Sequence, residues 1–255
     1  MAVQLVGYEP SASEPAILLA EGGAVSRQPL EPETSLSFRL GERRCAGLLD
    51  RAQRRHDPCE CPRAPYCDLH QQTWVCARCT GTCLKDEMDC YEPHAVYLAA
   101  FAPRTFKVGV TRLERLETRL REQGADRGAH VHTVSNGRIA RELEAELATE
   151  LTDRVGAGTK IAGLGDRVDV GAWESVLNDH DVHDRFQFEY GLDLERQPVT
   201  ETVASGTVRG VKGRIVVLDR EATSYAVDLR DLVGYEVTDD VDDRHLQSSL
   251  GAFDD

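Results

Sequence analysis

The sequence predicts an α+β protein in four consecutive parts. These are a small N-terminal β-sheet region over 1–44, a cysteine-rich segment over 45–93, a mixed middle domain over 94–180, and a C-terminal region over 181–255 with a small β module at about 200–238. Three observations predict this. Short apolar runs broken by Pro and Gly stand near both ends, and all eight cysteines fall between Cys45 and Cys90. Between them the chain switches from strand-like runs to stretches with leucines three and four residues apart. Alternation marks a half-buried strand, whereas the longer spacing marks one face of a helix. At 255 residues, two or three folded units are expected.

The N-terminal runs "VQLVGY", "AILLA" and "SLSFRL" read as a small antiparallel sheet. The cysteines follow: Cys45, Cys59, Cys61, Cys67, Cys76, Cys79, Cys83 and Cys90. The opening "MAVQLVGYEP" lacks the basic-then-apolar layout of a secretory signal, so a cytoplasmic location is expected and disulfides are not. Clustered thiols then read as metal ligands. Buried free thiols are a poorer reading, because few apolar residues are available there to pack on; an iron–sulfur cluster is a lesser alternative. Zinc suits four thiolates, being indifferent to redox and tetrahedral. One set is Cys76, Cys79, Cys83 and Cys90; the other is Cys45, Cys59, Cys61 and Cys67, with His56, His70 and His94 as possible substitutes. Both sites are closed, so the expected role is structural, with one or two zinc ions holding a segment that cannot fold without them.

In the middle, "AVYLAAF" and "TFKVGV" form a hairpin around Pro103 and Arg104. Thr111 to Glu114 fits the S/T-x-x-E pattern of a helix start. Leu113, Leu116 and Leu120 face one way, Arg112, Arg115 and Arg119 make a neighbouring stripe, and Gly124 stops the helix. "AHVHTV" is a third strand and "SNG", with Asn136, a turn. A second helix is expected over Arg138 to Arg154, with Ile139, Leu143, Leu147 and Leu151 inward. Glu144 falls on that apolar side, where a carboxylate requires a partner. The order is therefore ββαβα. Later, "GTVRGVKGRIVVLD" and "SYAVDLRDLVGYEV" give short strands with glycine turns. "GVKGR" is a weak phosphate-loop signal that a β-turn explains equally well. The acidic end, "DDVDDRHLQSSLGAFDD", reads as a frayed tail.

The formal charge of −14 argues against nucleic acid only until its distribution is read. Arg104 to Arg141 holds nine Lys/Arg against four Asp/Glu, whereas from Glu142 onward there are 26 acids and 11 bases. The middle is thus locally basic. Only four of the 30 cations are lysines. That balance suits a halophilic cytosol, where molar salt shortens electrostatic screening to about 3 Å and carboxylates keep a surface hydrated. No apolar run approaches the roughly 20 residues that span a bilayer, so no membrane partner is expected.

The ββαβα order, with Tyr97 in "AVYLA" and Lys107 to Gly109 in "KVG" ten residues later, resembles the GIY-YIG endonuclease fold. More widely, "GTCLKDEMDCYEPHAVYLA", "KVGVTR", "TRLREQGA", "GVKGRI" and "DLRDLVGY" resemble the cysteine-rich family catalogued as domain of unknown function 2797, over roughly Cys45 to Tyr235. The endonuclease resemblance implies that Tyr97 helps activate water, Arg119 steadies the phosphate, and Glu144 holds one Mg²⁺ or Mn²⁺. Lys107 stands where those nucleases carry tyrosine, and serves as a base only if burial lowers its pKa. Thr111, Gly109, Arg112 and Arg115 are the expected substrate contacts.

Three functions follow from this reading: a divalent-metal-dependent nuclease acting on DNA or RNA, a catalytically silent nucleic-acid-binding protein with the same fold, and a protein-interaction scaffold.

Overall fold

The structure is a computed structural model that describes residues 2–10, 14–71 and 91–239. Cys76, Cys79, Cys83 and Cys90, together with the acidic end from residue 240, lie outside the described residues. Along the chain run β1 (Val3–Glu9), β2 (Ala16–Glu21), β3 (Ala24–Pro29), β4 (Ser35–Arg43), β5 (Leu48–Asp50) and β6 (Arg55–Asp57). Then come β7 (His94–Phe101), β8 (Thr105–Arg112), α1 (Leu116–Glu122), β9 (Arg127–Val134) and α2 (Gly137–Leu147). α3 (Ala157–Ala162), α4 (Val170–Leu177) and β10 (Asp184–Gln187) follow. The last elements are β11 (Val199–Thr200), β12 (Ala204–Lys212), β13 (Ile215–Arg220), β14 (Thr223–Asp228), α5 (Leu229–Leu232) and β15 (Tyr235–Asp239).

These elements fall into two units, one made of Met1–Gln72 with Tyr190–Asp255, the other of Thr73–Glu189. The first unit carries one eleven-stranded sheet in the order β11-β14-β13-β12-β4-β15-β1-β2-β3-β6-β5. The two terminal regions, expected as separate parts, therefore share a single sheet. β4 lies between β12 and β15, with Ala204 opposite Phe38 and Thr238 opposite Arg39. The physical reason is the apolar surface each half carries. Leu5, Ile17, Leu36 and Phe38 from the N-terminal strands bury themselves with Val208, Val216, Leu218, Val227 and Val237 from the C-terminal ones, making one core where neither half has enough alone. "GVKGR" turns out to be the β12–β13 hairpin, with Lys212 paired to Ile215 across Gly213 and Arg214.

The second unit carries an antiparallel sheet in the order β10-β9-β7-β8. Alternation along β7 sends Val96, Leu98 and Ala100 to one face, where they pack with Val108, Ala140 of α2, and Trp173 and Leu177 of α4. Tyr97, Ala99, Lys107, Gly109 and Gly128 occupy the opposite face. α1 covers it, bringing Leu120 directly over Gly128. β10, within the part assigned to the C-terminal region, pairs instead with β9.

Two local expectations change. Thr111 does not cap a helix: it stays in the ladder opposite Ala95, and the helical stretch opens at Leu113–Arg115 as a 3₁₀ turn with no side-chain cap. The strand runs on through Arg112, so the residue before the first helical turn is an arginine, whose side chain has no acceptor to offer. The second helix ends at Leu147 instead of Arg154, because the chain beyond it is drawn alongside β8, where Val108 N donates to Thr152 O at 3.0 Å. Ile139, expected inward, is 39% exposed, and Asn136 is the N-cap of α2, accepting from Ile139 N at 3.0 Å. Among the described residues no helix is long and apolar enough to cross a membrane.

Candidate functional site

Two groups of chemically capable side chains stand out, one in each unit. In the first unit, Cys45 follows β4, Cys59 follows β6, and Cys67 and His70 lie in the turns beyond. Their ligand atoms all lie within 4.8 Å of one another. Cys45 Sγ is 3.4 Å and Cys67 Sγ 3.2 Å from His70 Nδ1. Ligands about 2.3 and 2.05 Å from a tetrahedral zinc would stand roughly 3.5 Å apart, so the spacing already suits such an ion.

The backbone prepares the sulfurs. Gly47 N and Cys67 N donate to Cys45 Sγ at 3.4 and 3.3 Å. Burial pushes the Cys45 thiol up, against those two N–H groups. Burial also pushes Cys67 up, but the N–H groups of His70 and Leu69 and the neighbouring Cys45 and His70 side chains outweigh it and bring Cys67 down to about 6. Amide donors aimed at sulfur favour the thiolate, the form that binds metal. This Cys₃His cluster can hold a metal such as zinc.

Its fourth member is His70, one of the substitutes, in place of Cys61. Cys61 lies outside this group, and its carbonyl accepts from Cys45 N at 2.8 Å, so it supports the cluster through the backbone. His56 is tied to the Ala46 carbonyl at 2.7 Å and His94 to the Glu92 carbonyl at 2.7 Å.

The second group centres on the β7–β8 hairpin. Tyr97 lies opposite Gly109, and a Cβ on Gly109 would meet the Tyr97 hydroxyl at 2.5 Å and Cζ at 2.6 Å. The glycine therefore admits the phenol ring across the strand. Tyr97 is 1% exposed. Its hydroxyl accepts from Gln123 Nε2, and Gln123 Oε1 accepts from Lys107 Nζ at 3.1 Å. Burial raises the Tyr97 pKa; Arg119 and the Gln123 bond oppose this, and Glu144 adds to it. Burial lowers Lys107 to about 8, opposed by Glu144 and assisted by Arg119.

Arg119 of α1 and Glu144 of α2 thus each act electrostatically on Tyr97 of β7 and on Lys107 of β8. Glu144 bears on the group by charge alone, from α2, whose Ala140 packs on the other face of the sheet. Its carboxylate pairs with Arg141 at 2.5 Å.

The arginine stripe is partly neutralised. Arg112 pairs with Glu92 at 2.9 Å, and Glu122 takes both Arg115 at 2.8 Å and Arg119 at 3.6 Å. Thr111 remains a strand residue.

Gln123 was not singled out from the sequence. The glycine of "REQGA" marks the end of α1, at φ 71°, but nothing in the sequence marks the polar residue before it as part of the group.

No curated protein and no solved structure gives a significant match to the chain. Residues 33–237 match the family described as "Protein of unknown function (DUF2797)". That span takes in the Cys₃His cluster, the Tyr97 group, and both the "GVKGR" and "DLRDLVGY" stretches, and the chain belongs to this family.

Proposed function

We propose that the chain is a zinc-containing nucleic-acid-processing protein whose Tyr97 group is a phosphodiester site, acting as a divalent-metal-dependent endonuclease with a GIY-YIG-like middle domain. The observation that carries this reading is the Tyr97–Gln123–Lys107 arrangement. One amide joins a phenol to an amine lowered to about 8, with a guanidinium and a carboxylate bearing on both. Perturbed groups gathered in this way mark a candidate for a functional site.

Burial and neighbouring charge support a role for each group. Tyr97, raised by burial, stays a phenol near neutral pH and acts as a proton donor to a phosphate oxygen. Lys107, neutral in part near pH 8, is the group able to take a proton from attacking water. Arg119 bears on the Tyr97 hydroxyl yet is 47% exposed at its side chain, so a phosphate can meet it from solvent. Glu144 offers one carboxylate, which suits a Mg²⁺ that keeps most of its waters, and Arg141 competes for it. A cation there would supply charge stabilisation for the phosphoryl oxygens.

A second reading has its own support. The near-complete burial of Tyr97 and the closed Arg141–Glu144 pair suit a binding protein that has kept the fold without the chemistry. Incubation of purified protein with branched and linear DNA and with RNA, in Mg²⁺ or Mn²⁺ at high KCl, separates the two. Cleavage lost in Glu144→Ala establishes the enzyme. Binding without cleavage by the wild type establishes the second reading.

A further inference from the structure

Gln123 lies at the C-cap of α1, held from several sides. Gly124 N donates to Arg121 O at 2.8 Å and Ala125 N to Leu120 O at 3.1 Å, the paired bonds of a Schellman stop. The Gln123 carbonyl accepts from Lys160 Nζ of α3 at 2.8 Å, and that same ammonium lies 4.8 Å from the Phe101 ring centre. The backbone of Gln123 is therefore pinned before its side chain makes any contact. The side chain then spans the space between β7 and β8, using its oxygen on Lys107 and its nitrogen on Tyr97.

The polarity of this bridge is fixed. A lysine ammonium has donors only, so the amide oxygen must face it, and the amide NH₂ must face the phenol. The Tyr97 oxygen then accepts, and its single proton is directed elsewhere. The Arg119 guanidinium, which acts on the same hydroxyl, is likewise a donor only. Neither neighbour can take that proton, and an oxygen brought by a ligand can.

We propose that Gln123 is a positioning residue: its amide holds the Lys107 amine and the Tyr97 hydroxyl in one donor–acceptor order, and so aims the Tyr97 proton at an oxygen of a bound phosphate. The second half of this statement rests on the phosphodiester reading above; the first half does not. The other charged groups bearing on the pair are Arg119 of α1, Glu144 and Arg141 of α2, and Asp153 beyond it, and none of them bridges both.

The test uses the full-length, zinc-loaded protein and two substitutions. Gln123→Glu keeps the shape but replaces the donor facing Tyr97 with an acceptor; Gln123→Leu removes both roles. The chain has only four lysines, Lys85, Lys107, Lys160 and Lys212, so an ε-¹³C-lysine NMR titration resolves Lys107, assigned by its disappearance in Lys107→Met. A carboxylate beside the ammonium should raise the Lys107 midpoint by roughly 1–3 pH units, and an apolar side chain should lower it. Midpoints that stay at the wild-type value in both variants overturn the positioning role. In the cleavage assay, Gln123→Glu should lower kcat by about 10- to 100-fold with KM and the unfolding temperature unchanged. Shifted midpoints with an unchanged kcat overturn the aiming of Tyr97. A wild type that cleaves nothing while the midpoints shift overturns the nuclease reading and still supports the positioning.

Discussion

Lysine at position 107 gives the sharpest physical test of the second unit. The residue is 8% exposed and its pKa is lowered to about 8 from the 10.5 of an exposed lysine, chiefly by burial. The folded state therefore sheds this proton near pH 8, whereas the unfolded state holds it until about 10.5. Between those values the unfolded chain binds more protons, so the wild type gains stability as pH rises through the window. Below it both states are protonated, and the penalty of burying the ammonium is present in full. At about 1.4 kcal/mol per pH unit, the gap corresponds to about 3 kcal/mol. Lys107→Met lacks the titrating group and otherwise shares the titrations of the wild type. The stability difference, wild type minus variant, should rise by about 3 kcal/mol from roughly pH 7 to roughly pH 11. Trp173, 2% exposed and 5.6 Å from the Phe106 ring, is a suitable fluorescent reporter in urea, in a background where Trp74 is replaced by phenylalanine. A difference that stays flat across this range would refute the buried, displaced lysine, and with it the general-base role.

Three further predictions follow. Gly109→Ala should destabilise by about 1–3 kcal/mol through overpacking against Tyr97, and most of that loss should vanish in a Tyr97→Ala background, as urea unfolding followed by Trp173 would report. With Cys76, Cys79, Cys83 and Cys90 replaced by serine, the chain should still bind one zinc ion. His70→Ala or Cys67→Ser should lose it and Cys61→Ser should retain it, as measured by metal content after dialysis against a chelator. Arg141→Ala frees the Glu144 carboxylate, so half-maximal cleavage should be reached at a lower Mg²⁺ concentration than in the wild type; an unchanged or higher requirement would exclude Glu144 as the carboxylate that holds the ion.

The Cys₃His cluster and the Tyr97 group show what the sequence makes legible and where its reach stops. Clustered thiols announced a metal site because disulfides were unexpected and free thiols had little to pack on, but the choice between Cys61 and His70 depended on turns whose geometry no spacing rule specifies. His70 reaches the sulfurs because the turn after Cys67 brings its ring back to them, with His70 N bonded to Cys67 O at 3.0 Å. Likewise, Tyr97 and Gly109 could each be picked from a motif, yet their direct opposition is a matter of hairpin register. Gln123 was passed over because a polar residue before a helix-ending glycine is ordinary in sequence. Only the Schellman turn and the hold of Lys160 on its carbonyl turn it inward.

The sequence by itself determined the local elements, the concentration of thiols and the helical placement of Glu144, since these depend on periodicities of two and near four residues and on composition. Tertiary structure decided the rest. It merged two distant sets of strands into one sheet, because neither set carried enough apolar surface for a core alone. It shortened α2 by drawing Thr152 onto β8, and it buried an amine and a phenol around one amide, because burial and long-range pairing depend on neighbours that lie far away along the chain.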